Sequence, residues 1–155
     1  MNISNTNLKT IKRLRGDLKS REAYLRLEKN ERVSKFEKNF INYLKKKISS
    51  YHLTSYPELE SVYINLSKYL GINKNNIVIT GGADLAIKNC FELFVKPKNK
   101  IITLTPSFAM IDIYSKLFQS KPFKFGYDKN LKLDIKKIYK KINKNIKMII
   151  ISNPN

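Results

Sequence analysis

From Tyr51 onward, apolar residues alternate between short continuous runs and evenly spaced stripes. The runs are rich in Ile, Val and Phe and predict strands at 77–80, 101–104, 123–127 and 147–151. The stripes recur every three or four residues and predict helices; they comprise Leu59, Val62, Tyr63, Leu66 and Leu70, then Ala83, Ile87, Cys90, Phe91 and Phe94, then Phe108, Ile111, Ser115 and Phe118, then Ile135, Ile138, Tyr139 and Ile142. Strands alternating with helices predict an α/β fold in which βαβ units build a parallel sheet.

Turn-forming residues mark the ends of several of these elements. Pro57 precedes the first of the helices, and Gly71 follows it as a residue suited to a left-handed C′ position. Gly81 and Gly82 end the first strand, and Asp134 is suited to cap the last helix. The boundaries of the elements are therefore predicted from turn chemistry as well as from periodicity.

The last predicted strand, 147–151, is a continuous apolar run without alternation. This pattern is typical of a strand that is covered on both faces in a parallel sheet. Such a strand needs neighbours on both sides and a following crossover, and an open edge beside it would promote aggregation. Because the sequence ends at Asn155, we expect the chain to be the front part of a larger enzyme.

Residues 1–50 differ in character from residues 51–155. They hold all five arginines and no proline. They predict an arm followed by one helix, whose apolar positions are Phe36, Phe40, Tyr43, Leu44 and Ile48. We therefore expect one region at 1–50 and a second at 51–155.

The composition is strongly basic, with 31 Lys and Arg residues against 12 Asp and Glu residues and a formal charge of +19. Such a charge is expected of a protein that binds nucleic acid. However, 26 of the basic residues are lysine, and they accompany 17 asparagines and 20 isoleucines, as expected of an AT-rich coding sequence. Arginine, which recognises bases and phosphates through paired hydrogen bonds, is scarce. Compositional drift therefore explains the charge better than a specific nucleic-acid function.

The single cysteine, Cys90, excludes an internal disulfide and is typical of a reducing compartment. Its place on a helical stripe predicts a buried structural thiol. The sequence has no run of about 20 apolar residues and no secretory signal at its start, so no membrane association is predicted. These features favour a cytoplasmic location.

The best local signal for chemistry is a strand, a glycine pair and a helix start at 77–84. The glycines let the backbone turn tightly and approach a ligand. Ala83 and Asp84 would then present backbone N–H groups at a helix N-terminus, where phosphates bind. Asp84 could equally be an ordinary capping residue. The pattern is neither a Walker loop nor a G-x-G-x-x-G turn.

The wider context of this turn resembles the histidinol-phosphate aminotransferase family of pyridoxal-phosphate enzymes. The resemblance covers residues 24–155 and rests on an ordered set of motifs, namely Ser55-Tyr56-Pro57-Glu58, Leu70-Gly71-Ile72, Gly82-Ala83-Asp84, Thr105-Pro106-Ser107-Phe108 and Ser152-Asn153-Pro154-Asn155. The family's next element, Pro-Thr-Gly, does not occur. The resemblance implies the N-terminal portion of a fold type I, aspartate-aminotransferase-like protein. Residues 1–50 would then belong to a small domain, and residues 51–155 would begin a three-layer α/β/α cofactor domain.

The resemblance also implies roles for individual residues. Backbone donors of Gly82, Ala83 and Asp84 would bind the phosphate of pyridoxal 5'-phosphate. Tyr56 would reach the phosphate held by the partner subunit, which implies a homodimer. Phe108 would lie on the pyridine ring, where most relatives have tyrosine. Alternatively, Phe108 could be the first core residue of its helix, and Tyr56 could be a packed tyrosine at a turn.

At the end of the sequence, the resemblance implies an asparagine that donates to the phenolic oxygen of the cofactor. Asn155 is either this ligand or its neighbour. Residues 27–32 also resemble the family's Leu-x-x-Asn-Glu segment, which would line the mouth of the substrate site.

The family's Schiff-base lysine, the aspartate at the pyridine nitrogen and the arginine for the substrate carboxylate all follow Pro-Thr-Gly. No lysine here has the family's Ser-x-x-Lys context, so no catalytic residue is nominated and the chain alone is predicted to be inactive. No set of metal ligands stands out. The implied function is a transaminase acting on an amino acid or amino alcohol phosphate with a 2-oxo acid. The alternatives are a catalytically dead remnant and a basic nucleic-acid-binding module.

Overall fold

The computed structural model describes residues 21–27 and 31–155, and it divides into two compact units. One unit comprises Leu14–Val78 and the other includes Ile79–Asn155. The boundary between these units differs from the division after residue 50 that the sequence predicts. The assignment of 1–50 and 51–155 to a small and a large domain stays a prediction, and the part of the predicted arm within residues 1–20 lies outside the described residues.

The first unit is helical over the residues described. It contains α1 (Lys38–Lys47), α2 (Ser50–Thr54) and α3 (Glu60–Leu70), with 3-10 turns at Arg21–Ala23 and Lys74–Asn76. The two helices predicted here are confirmed as α1 and α3. Gly71 ends α3 with φ +66°, the left-handed conformation that its position predicts. None of the residues described in this unit is fully buried.

The strand predicted at 77–80 is not formed, so this prediction is wrong. Ile77 has an extended backbone, with φ −116° and ψ 133°. However, the ladder of the sheet joins other segments and does not include 77–80. β-branched residues favour an extended chain, but a strand forms only where a neighbouring strand accepts and donates its backbone hydrogen bonds.

The second unit is a parallel sheet with helices, which confirms the predicted α/β class. In chain order it contains α4 (Ala83–Phe94), β1 (Lys100–Thr105), α5 (Ala109–Leu117), β2 (Lys121–Gly126), α6 (Ile135–Lys141) and β3 (Ile146–Ile150). Both strand pairs are parallel, and the order across the sheet is β2-β1-β3. Asp134 caps α6 as predicted, because its side chain accepts a hydrogen bond from the Lys137 N–H.

Each face of the sheet is covered by its own hydrophobic cluster. On one face, Ile101 of β1 packs with Phe91 and Val95 from α4 and its end, and with Tyr114 of α5. On the other face, Ile102 and Leu104 of β1 pack with Ile138 of α6. Alternate residues of a strand point to opposite faces, so β1 is covered on both. The unit therefore has three layers, α/β/α, as predicted.

β3 pairs only with β1 in the described sheet, so the open edge expected beside the last strand is present, and Ile149 is 41 % exposed. One prediction about burial is wrong. Cys90 is exposed rather than buried. On α4 the buried direction is centred on Phe91, and a neighbouring residue points about 100° away, so Cys90 lies outside the covered face. Within the described ranges, no helix combines the length and apolarity needed to cross a membrane.

Candidate functional site

The start of α4 is built on Gly82. This residue is the N-cap and has φ +100° and ψ 173°, a conformation that is almost restricted to glycine. The Thr80 hydroxyl donates to the Gly82 carbonyl at 2.8 Å, which fixes the turn. A Cβ built on Gly82 would meet no atom within 4 Å, so the backbone is open to a ligand. Gly81 has no left-handed φ, and its Cβ would make an ordinary 3.6 Å contact with Leu85.

The first turn of α4 can accept an anion. The first intrahelical hydrogen bond runs from the Ala86 N–H to the Gly82 carbonyl. The N–H groups of Ala83, Asp84 and Leu85 precede it and therefore have no acceptor one turn earlier in the helix. Together with the helix dipole, these groups favour a phosphate oxygen.

Asp84 does not cap α4, because the N-cap is Gly82 and the carboxylate of Asp84 is engaged elsewhere. The Tyr114 hydroxyl donates to Asp84 Oδ1 at 2.8 Å and so joins the first turn of α4 to α5. Burial first, and then the hydrogen bond and charge of Asp84, raise the pKa of Tyr114 from 10.0 to about 12. The phenol is therefore a stable hydrogen-bond donor at neutral pH.

The raised pKa of Tyr114 makes the folding free energy depend on pH. Because the folded state favours the neutral phenol, the stabilisation is complete below pH 10 and is lost as the pH rises through about 12. Two pKa units correspond to roughly 2–3 kcal/mol. We expect wild type to lose this much more stability than Tyr114→Phe between pH 9 and 12, measured by urea unfolding. Equal losses in both proteins would contradict the assignment.

A second group of polar residues joins the carboxyl ends of all three strands. The Asn155 amide nitrogen donates to the Pro106 carbonyl at 2.9 Å and to the Tyr127 hydroxyl at 2.8 Å. The Ser107 hydroxyl donates to Asn155 Oδ1 at 2.8 Å and lies 2.9 Å from the Ser152 hydroxyl. A cavity of about 550 Å³ opens beside this network, and Thr105, Pro106, Ser107, Gly126, Tyr127, Asp128, Leu131 and Asn155 line it.

This network bears on the two alternatives for Asn155. An asparagine amide has two N–H donors, and both donors of Asn155 are already engaged. Asn155 could donate to a cofactor oxygen only by releasing Pro106 or Tyr127. The geometry therefore favours Asn155 as the neighbour that fixes the turn over Asn155 as the cofactor ligand.

The aromatic candidates are both exposed. Phe108 is the N-cap of α5 and is 43 % exposed, so it is not the core residue of the alternative interpretation. The side chain is therefore accessible to a ligand that could stack on it. Tyr56 belongs to the other unit and is 96 % exposed, which rules out a packed tyrosine.

The sheet topology places most of the candidates at one edge. β1 connects to β2 on one side, and β2 connects back across β1 to β3. In open α/β sheets, ligands bind beyond the carboxyl ends of the strands where the connections diverge in this way. Phe108 and Asn155 follow β1 and β3 at this edge. α4 packs against β1, and a short loop joins the C-terminal end of α4 to the start of β1. α4 therefore runs antiparallel to β1, and the Gly82 turn at its N-terminus lies at the carboxyl end of the sheet.

The predicted substrate-mouth segment is described only in part, because residues 28–30 lie outside the described ranges. Glu31 forms an ion pair with Arg21, and its carboxylate is 3.8 Å from Nε of Arg26. This segment is thus tied to the preceding turn in the first unit.

Sequence reasoning missed Tyr114 and Tyr127. Tyr114 lies on an apolar helix face, and only the hydrogen bond from its hydroxyl to Asp84 indicates a polar role for this residue. Tyr127 has a weak sequence signal, since it directly follows a strand whose carboxyl end meets those of its neighbours. Polar residues placed immediately after parallel strands could have been tested as one group.

Comparison with known proteins identifies the family. Residues 21–155 match the family described as Aminotransferase class I and II. The chain belongs to this family, and the resemblance to histidinol-phosphate aminotransferases is confirmed. The chain is 31% identical over 142 residues to the histidinol-phosphate aminotransferase of Clostridium novyi (strain NT), and the alignment covers 90% of this chain and 40% of that protein. It is 37% identical over 113 residues to that of Buchnera aphidicola subsp. Melaphis rhois, covering 70% and 31%.

Solved structures agree with the fold. The histidinol-phosphate aminotransferase from Clostridium acetobutylicum aligns with a TM-score of 0.61 and 29% identity, over 76% of this chain and 34% of that chain. Cystalysin from Treponema denticola, which contains pyridoxal 5'-phosphate, aligns with a TM-score of 0.55 and 22% identity, over 70% and 29%. The chain spans 40% or less of the curated relatives just described.

Proposed function

We propose that this chain forms the N-terminal region of a pyridoxal-phosphate-dependent aminotransferase and carries the phosphate side of the cofactor site. The observation that carries the proposal is the Gly82 turn, which opens the N-terminus of α4 at the carboxyl edge of a parallel sheet. Family membership and the pyridoxal 5'-phosphate contained in cystalysin support pyridoxal phosphate as the ligand. The open space beside Gly82 and the N–H groups of the first turn fit a phosphate ester.

Each candidate residue has a role consistent with its position. The backbone N–H groups of Gly82, Ala83 and Asp84 would bind the phosphate. The partly exposed Phe108 side chain would support the pyridine ring of the cofactor by stacking. Asn155 would fix the turn after β3 through its hydrogen bonds to the residues that directly follow β1 and β2. When bound, pyridoxal phosphate supplies an electron sink that the side chains of this chain do not provide.

The substrates are proposed from the names of the relatives, and the assembly from the exposure of Tyr56. The relatives named as histidinol-phosphate aminotransferases favour an amino acid or amino alcohol phosphate as donor and a 2-oxo acid as acceptor. We further propose a homodimer in the cytoplasm, in which the exposed Tyr56 reaches the phosphate held by the partner subunit.

The test is whether the 155-residue chain binds pyridoxal phosphate through its phosphate group. Binding is measured by ³¹P NMR of pyridoxal phosphate. Pyridoxal, which lacks the phosphate, is the matched ligand control. We expect pyridoxal phosphate to bind and pyridoxal to bind much more weakly. We also expect no transamination, because none of the 26 lysines has the family's Ser-x-x-Lys context. Equal binding of the two ligands would contradict the phosphate site.

Non-specific attraction needs its own control, because a chain of charge +19 attracts any anion. Binding of pyridoxal phosphate should persist when excess oligonucleotide occupies the lysine surface. Complete displacement by the oligonucleotide would favour the alternative of a basic nucleic-acid-binding module.

A further inference from the structure

We propose that Tyr114 is a positioning residue, which holds the Asp84 carboxylate away from the N-terminus of α4 and so keeps that terminus open to a phosphate. The inference rests on the proposed function, since it concerns the same phosphate site. It assigns to a core residue of α5 a part in binding that the sequence motifs do not indicate.

Asp84 creates a conflict at this site. It is the second residue of α4, where a carboxylate is attracted by the same backbone N–H groups that a phosphate requires. Two negative charges about 5 Å apart near a protein surface repel strongly enough to weaken binding about tenfold or more. Within residues 21–27 and 31–155, no lysine or arginine forms an ion pair with Asp84. For a phosphate to bind, the Asp84 carboxylate therefore has to point away from the N-terminus of α4.

Tyr114 provides that direction. Its hydroxyl donates to Asp84 Oδ1 at 2.8 Å from the neighbouring helix. Asp84 and Phe91 are seven residues apart, two turns along the same face of α4, so the Asp84 side chain projects towards α5. The phenol cannot follow the carboxylate to another place, because the Tyr114 ring is 7 % exposed and lies 5.9 Å from the Phe91 ring.

A double-mutant cycle tests the proposal. Tyr114→Phe, Asp84→Asn and the double variant are compared with wild type for binding of pyridoxal phosphate, measured by ³¹P NMR. Tyr114→Phe keeps the buried ring, and we expect about tenfold weaker binding because the charged carboxylate is released. Asp84→Asn is expected to bind a few-fold more tightly than wild type, since the negative charge is absent. In the Asp84→Asn background, Tyr114→Phe should change affinity by less than about twofold.

The cycle separates positioning from a general structural role. A structural role would weaken binding equally in both backgrounds, and this result would overturn the proposal. If Tyr114→Phe does not fold, as judged by circular dichroism, the single variant Asp84→Asn still decides, because weaker binding than wild type would show that the carboxylate assists the phosphate. Absence of binding by wild type would reject the proposed function, and this inference with it. Undiminished binding by folded Tyr114→Phe would reject the inference alone.

Discussion

Gly82→Ala is expected to weaken binding of pyridoxal phosphate by one to two orders of magnitude, roughly the effect of losing one or two hydrogen bonds to a charged ligand. The φ of +100° and ψ of 173° lie in a region that an alanine adopts only with strain. The substitution therefore shifts the turn and misdirects the N–H groups of Ala83 and Asp84. A new Cβ would also occupy the open space beside the backbone.

Gly81→Ala is the matched control for this experiment. It adds the same atom one residue earlier, where no left-handed φ is required and the Cβ has room at 3.6 Å from Leu85. Both variants keep the net charge, so non-specific attraction to phosphate is unchanged. Binding is measured by ³¹P NMR. Equal affinities for the two variants would remove the Gly82 turn from the site and leave the proposed function without its principal support.

The order of elements in the second unit was predictable because it depends on local periodicity. Each helix of that unit shows its apolar stripe, and β1 and β3 contain short apolar runs that end before turn residues. The same reasoning failed at 77–80, since pairing depends on which segments lie alongside. The composition of a segment shows that it can adopt an extended conformation, whereas the presence of a neighbouring strand decides whether it joins a sheet.

The candidate site was predictable only where its residues are consecutive. The Gly82 turn is a local motif, and its unusual backbone follows from the glycine itself. In contrast, Asn155 is bound by residues 28 and 49 positions away, which only the parallel sheet brings together. The occupied amide of Asn155 was for this reason not predictable, although the residue itself was a candidate.

Phe91→Ala is expected to destabilise the second unit by about 3–5 kcal/mol, the usual cost of removing a fully buried phenylalanine. Phe91 is 0 % exposed, and its ring stacks on Phe118 at 5.8 Å and lies 5.9 Å from Tyr114. Since domains of this kind have a total stability of about 5–15 kcal/mol, the loss would be a large fraction of the whole. Urea unfolding measures it directly.

Phe94→Ala, on the same helix, is the matched control. Phe94 is 59 % exposed, so its truncation removes much less buried surface and should cost well under half as much as Phe91→Ala. Because Phe91 anchors α4 to α5 and β1, its loss should also disorder the Gly82 turn and lower phosphate affinity, whereas Phe94→Ala should not. Similar losses of stability in both variants would show that the Phe91 cluster does not hold α4 in place. The proposed phosphate site depends on that cluster, since the packing of α4 sets the direction of its N-terminus.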